Sequence, residues 1–323
     1  MKWRGAYTLI GLVAALFLLF GIFAVLLARQ DKSGFLSLGN VETILRQSTP
    51  VCIAALGMTL VIITAGIDLS IGSVVAFVSV VVAWFLVRGM YPAVAFAAGI
   101  VSGAAFGFLN GVLVSRIKVG AFIVTLATML VARGAATGLA NEQKIDAPMS
   151  WLNSLLAVLD SDQKWMLLPS GVWVMVILAI LTHWILNSTR FGRHAVAVGS
   201  NERAALYSGI SVDRVKLAVY TLMGIFAGFA GVMMYARLSV GDPSTAEGFE
   251  LSVIAAVVIG GASLSGGQGS ILGSILGALI MATINAGCSQ LGMSNWIQQM
   301  ITGGIIVISV MLDRVRVARI KDR

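Results

Sequence analysis

The sequence predicts an all-α fold: a polytopic transmembrane helix bundle of about ten spans, forming one domain over residues 1–323. Three observations predict it. Hydrophobic residues make up 58% of the chain and charged ones only 11%, where a soluble domain carries roughly 25% charged residues. Mean hydropathy is +0.95. Apolar runs of membrane-crossing length recur along nearly the whole chain, so lipid is the expected solvent. Within lipid, backbone polar groups must be paired inside the segment, which selects helix. The 36 glycines fit close helix contact in a membrane.

The apolar runs lie near residues 7–28, 47–65, 71–88, 92–114, 120–139, 171–186, 215–236, 251–262, 270–290 and 296–312. The first follows Lys2 and Arg4 and exceeds the roughly 7–15 residues of a signal-peptide core, so it reads as a retained helix. The eighth is short, which predicts a broken or partly re-entrant helix. With ten spans and a cytoplasmic N-terminus, fourteen basic residues fall on the cytoplasmic side (from 2–4, 116–118, 190–216 and 314–323). The other face receives six, Arg29, Lys32, Arg46, Arg88, Lys144 and Lys164, an asymmetry that obeys the positive-inside rule. That distribution also explains the net charge of +8 without nucleic acid as a partner. Residues 140–170, on the outer side, read as a short amphipathic element lying on the membrane surface.

Cys52 and Cys288 sit in apolar runs and make neither a disulfide framework nor a metal cluster. No catalytic constellation is present, so the expectation is a transport protein without cofactors.

Three polar segments carry the functional reading. In the cytoplasmic loop 187–214, Ser200 or Asn201 is an N-cap and Gly209 a C′ residue. Between them Glu202, Arg203, Ala204, Ala205, Leu206, Tyr207 and Ser208 form about two helical turns. A helix so short needs something to pack against, and its Leu206 and Tyr207 are offered outward. In GIDLSIGS, residues 66–73, Asp68 and Ser70 are expected to cap the following helix, or Asp68 to serve a pathway. In residues 250–270, Leu264–Gln268 spell LSGGQ, the signature of ABC ATPases. No GxxxxGK[ST] accompanies it, so it reads as a glycine-rich turn. GIDLSIG and GASLSGG share a Gly-x-x-Leu-Ser-x-Gly pattern, a possible internal repeat. Among polar residues within spans, Asp68, Asn110, Thr125, Arg133 and Asn285 are the candidates for lining a pathway.

Four strings, GMTLVIITAGIDLSIGS, LNGVLVSRIKVGAFIVTLATMLVARG, FGRHAVAVGSNERAALYSGISVDRVKLAVY and ELSVIAAVVIGGASLSGGQGSILGSILGALI, resemble the permease subunits of bacterial ABC importers for ribose, xylose and galactose. The resemblance runs from about Phe35 to Asp313. Gly120 and Ala121 stand where that family often has proline, and Gln268 where it often has arginine. The resemblance implies a ten-helix fold, a second permease subunit, identical or paralogous, two cytoplasmic ATP-binding subunits and a periplasmic sugar-binding protein. It also implies that the helix at Ser200–Gly209 is the coupling helix that seats in the ATPase. The competing reading is a stand-alone secondary transporter or channel that uses Asp68, Arg133 or Glu250 to couple ion flow.

Overall fold

The computed structural model describes residues 2–32, 34–159 and 161–321, without the side chains of residues 2–7, 161, 164 and 312–321. The basic side chains at both termini that entered the charge count, and Asp160 and Lys164 of the outer segment, lie outside the described side chains.

Each apolar run becomes a helix. In chain order they are α1 (Lys2–Ala28), α2 (Leu38–Ile63), α3 (Ile71–Val87), α4 (Pro92–Ser115) and α5 (Ala121–Leu139), then β1 (Ile145–Asp146) and α6 (Trp151–Ser154). There follow α7 (Ser170–Ser188), α8 (Arg190–Ser200), α9 (Glu202–Tyr207), α10 (Val212–Leu238), β2 (Val240–Gly241), α11 (Phe249–Ile259), α12 (Ile271–Gln290) and α13 (Asn295–Lys321). Seven helices are long and apolar enough to cross a membrane, while α3, α11 and residues 295–311 of α13 are shorter apolar helices. The ten predicted segments are therefore all helical.

The centre of the bundle is α2 and α10, whose apolar side chains from Cys52 to Ile63 and from Val219 to Ala236 are largely buried. Small residues set how closely their neighbours approach. Gly99, Gly103, Gly107 and Gly111 recur every fourth residue along one face of α4 and are packed on α10 or α3. A Cβ on Gly107 would lie 2.6 Å from the Cα of Gly224, so only glycine lets the two backbones touch here. The gain is dispersion and close backbone contact, since lipid supplies no hydrophobic drive between helices.

At one face of the bundle β1 and β2 pair antiparallel, joining the segment after α5 to the segment after α10. The outer segment 140–170 does not lie flat on a membrane surface as expected. Leu152 and Leu156 are buried in the core, and Arg46 Nε donates to the Leu156 carbonyl at 2.6 Å. Its apolar run found a deeper partner in the ends of α4 and α10, leaving Trp151 and Trp165 exposed.

Candidate functional site

The predicted two-turn helix is α9. Asn201, not Ser200, is its N-cap: the Asn201 side chain accepts from the Ala204 amide at 3.0 Å. Gly209 has φ +81°, and the Ile210 amide returns to the Ala205 carbonyl at 3.1 Å, closing the C-terminus with a left-handed reversal. Glu202 in the first turn pairs with Lys216 of α10 at 2.7 Å. Ala205 is buried, whereas Arg203, Ala204, Leu206 and Tyr207 are exposed, Tyr207 at 87%.

Ahead of α9 stands a helix that the sequence reading left as loop. Thr189 caps α8 by accepting from the Gly192 amide at 3.3 Å. The C-terminal residues of α8 touch the bundle where two spans turn. A Cβ on Gly199 would run into the Ile63 carbonyl at the end of α2. One on Gly267 would lie 3.1 Å from the Ser200 Cα. The Gly267 amide donates to the Ile63 carbonyl at 2.8 Å. The LSGGQ pentapeptide is thus a turn between α11 and α12, with Gly266 and Gly267 at φ +84° and +73°. It packs against Ile63 and Ala65, just ahead of the GIDLSIG segment.

Those two turns differ in shape. After α2 ends, Ala65 adopts φ +58° and reverses the chain, and residues 66–70 run without regular structure, Asp68 and Ser70 buried, before α3 begins. Such unwound backbone is tolerated at membrane depth only where protein satisfies it. Here side chains do so. Asp68 accepts from the Ser70 amide at 2.8 Å and from the Ser70 hydroxyl at 2.6 Å. Asn110 Nδ2 donates to Ser70 Oγ at 3.0 Å, and Thr128 Oγ1 donates to Asn110 Oδ1 at 2.6 Å. This chain ties the climb to α4 and α5. The expected capping is corrected: Ser70 is in the helical region with no side-chain cap bond, and the Asp68 carboxylate accepts from the Ser70 amide and hydroxyl. A two-residue Asp-x-Ser turn won because the backbone leaves α2 by a path without regular structure.

A second climb enters from the opposite end. Between α10 and α11, Asp242 accepts from the Ser244 amide at 2.9 Å and its hydroxyl at 2.7 Å, repeating the Asp-x-Ser turn. Gly241 packs beside Ser79, Val80 and Ala83 of α3, whereas Ala246, Phe249 and Glu250 pack on Gly72 at its start. Residues 242–248 therefore descend along α3, and α11 is the broken helix that its shortness predicted. Arg133, in α5, donates from one guanidinium nitrogen to the carbonyls of Pro243 and of Thr245, the latter at 2.8 Å.

Of the residues expected to line a pathway, Asp68 and Asn110 meet in one buried network, and Thr125 is buried beside it, its hydroxyl donating to the Ala121 carbonyl at 2.9 Å. Arg133 is half-buried on the second climb, and Asn285 is exposed on α12, bonded to none of them. Ser70 and Thr128 were missed as members of the network. A groove of about 700 Å³ lies elsewhere, between α4, α7, α8 and α10, and is lined by Phe108, Ile185, Phe191 and Leu217 with Arg214 among them. No group of three His, Cys, Asp or Glu side chains suited to a metal occurs among the described residues.

Seven helices long and apolar enough to cross a membrane, with shorter apolar helices packed among them, have the architecture of a helical membrane permease. Residues 40–310 match the family described as branched-chain amino acid transport system / permease component. The chain is 39% identical over 279 residues to the ribose import permease protein RbsC of Escherichia coli K12, covering 86% of this chain and 87% of that one. It is 38% identical over 311 residues to RbsC of Bacillus subtilis 168, covering 96% and 94%. It is also 35% identical over 305 residues to the L-arabinose ABC transporter permease protein AraH of Azospirillum brasilense, covering 91% and 86%. No solved structure matches. The chain belongs to the permease family of bacterial ABC importers, within its monosaccharide group. It is a multi-pass protein of the bacterial inner membrane and a transport subunit, not an enzyme. Such permeases work with ATP-binding subunits and a substrate-binding protein.

Proposed function

We propose that the chain is half of a translocation path that imports a monosaccharide by alternating access, powered by ATP hydrolysed on separate subunits. Both termini face the cytoplasm, a second permease subunit completes the path, and a periplasmic binding protein delivers the sugar. The names of the relatives, for ribose and L-arabinose, make pentoses the first sugars to assay.

One observation carries this reading. The exposed helix α9 is rigidly capped and continues through α8 to Gly199 and Ser200, which touch Ile63 and Gly267. An ATPase subunit that seats Leu206 and Tyr207 would move α9. Ile63 leads into the climb before α3, and Gly267 lies in the turn between α11 and α12. Displacing them therefore shifts both broken spans together. Two discrete packings of these segments would expose the path to one side or the other. The fall in free energy comes from ATP, because the permease itself offers no P-loop.

The test replaces Leu206 and Tyr207 with Asp in the assembled importer. Two buried-on-docking apolar contacts become charges, so the ATPase should dissociate from the membrane and sugar uptake should stop. Retention of both ATPase binding and uptake would refute α9 as the coupling element. Uptake that persists in vesicles lacking the ATPase would favour a secondary transporter instead.

A further inference from the structure

Three charged side chains, Arg133, Glu247 and Glu250, gather where the descending segment meets α11, none of them fully buried. Glu250 is at the start of α11, 11 residues from Phe249 to Ile259, so it lies about 14 Å from the other end of that helix. That is close to half of the roughly 30 Å of hydrocarbon. Arg133 stands about 18 Å from the start of α5 by the same rise, at a matching level. Glu247 belongs to the descending segment between them. Glu247 is exposed, and Arg133 and Glu250 are half-buried.

Their partners are incomplete. Arg133 uses one terminal nitrogen on the Pro243 and Thr245 carbonyls. A guanidinium carries five N–H donors, and no ion pair within 4 Å joins Arg133 to either glutamate among the described residues. Charges at this depth do not face lipid; they face water or a polar ligand.

We propose that Arg133, Glu247 and Glu250 wall the hydrated path and touch the sugar as it passes. This rests on the importer reading above. The chemistry suits a neutral polyol. The glutamates accept from sugar hydroxyls, the unused guanidinium donors give to them, and the net negative charge turns away sugar acids and sugar phosphates. Unlike the Asp68 network, whose members satisfy each other, this set gains its missing partners only from outside the chain.

Accessibility tests the placement. In a chain with Cys52→Ala and Cys288→Ala, Glu247→Cys should react with a charged, membrane-impermeant thiol reagent in native membranes. Ile177→Cys, on the exposed apolar face of α7, should not. A Glu247→Cys as inert as Ile177→Cys overturns the proposal, whether or not the protein imports sugar. Kinetics test the contact. In the full importer, Glu247→Gln should raise the sugar concentration for half-maximal uptake about tenfold, the equivalent of one charge-assisted hydrogen bond. Arg133→Lys, which keeps charge but loses the fork, should do the same. Unchanged uptake kinetics in both variants overturn the sugar contact even if the labelling succeeds. A wild type that takes up sugar without the ATPase refutes the importer reading and leaves the labelling result standing.

Discussion

The backbone amide of Gly267 donates to the carbonyl of Ile63 at 2.8 Å, joining the turn between α11 and α12 to the last residue of α2. Gly199 packs on the same carbonyl from α8. Three elements distant in sequence therefore meet at one carbonyl where α8 joins the bundle.

Gly199→Val places a branched side chain against the Ile63 carbonyl. Overpacking of this kind costs about 1–3 kcal/mol. The expected outcome is a lower thermal midpoint and loss of ATP-driven uptake with the ATPase still bound, because α9 itself is untouched. Co-purification and an uptake assay on the same preparation separate the two effects. Normal uptake would show that the joint does not transmit motion.

Asn201→Ala removes the bond to the Ala204 amide. The loss of an N-cap costs about 1 kcal/mol, a large share of what holds a helix of 6 residues. Amide exchange across Glu202–Tyr207 should quicken about fivefold, the rate equivalent of that energy. Asn201→Asp should restore the wild-type rate. Slow exchange in the alanine variant would mean that packing, not the cap, defines α9.

Asn110→Leu deletes the link between Ser70 and Thr128. Each buried polar group left unpaired costs about 1–3 kcal/mol, so the purified protein should lose several degrees of thermal midpoint. Thr128→Val alone removes one donor and should cost less. Equal stability of all three proteins in detergent would show that the Asp68–Ser70 turn holds α3 without α4 or α5.

Acid should loosen the β1–β2 pairing late. Burial opposes the charge on Asp242, but the Ser244 hydroxyl and amide and the Lys144 ammonium, 3.0 Å away, outweigh it and hold the carboxyl below the usual carboxylate range. A carboxyl lowered on folding stabilises the fold above its unfolded value, and that support is lost as the pH falls through the lower, folded value. The exposed Lys144 makes its share small, under about 1 kcal/mol. Amide exchange at Ile145 and Gly241, followed from pH 6 downward, should rise at higher pH in Lys144→Ala than in the wild type. The reverse order would contradict the assignment.

Much of this was legible in the sequence, for physical reasons. Every span announced itself because lipid forces long apolar helices. The caps of α9 were readable because a short helix in water needs Asn201 and Gly209. The turn at Leu264–Gln268 was readable because its glycines alone adopt positive φ. The two climbs into the bundle were not, because depth in a membrane is a tertiary property. Asp68 was read as a cap when local bonding could not reveal that the chain re-enters. A signal did exist: Asp68-Leu69-Ser70 and Asp242-Pro243-Ser244 are the same Asp-x-Ser turn, each preceding one of the shorter apolar helices. The α8 helix was missed although Thr189 marks its start, because its amphipathic pattern resembles an ordinary basic loop.

The central claim is that this permease moves sugar only when a separate ATPase drives α9. Reconstitution into vesicles with the ATP-binding subunits and the sugar-binding protein tests it most directly, by measuring pentose uptake with ATP inside and outside in turn. The account requires uptake with ATP on the face bearing α9, and none when the ATPase cannot hydrolyse ATP. Uptake at the same rate without ATP, or without the ATPase, would contradict it.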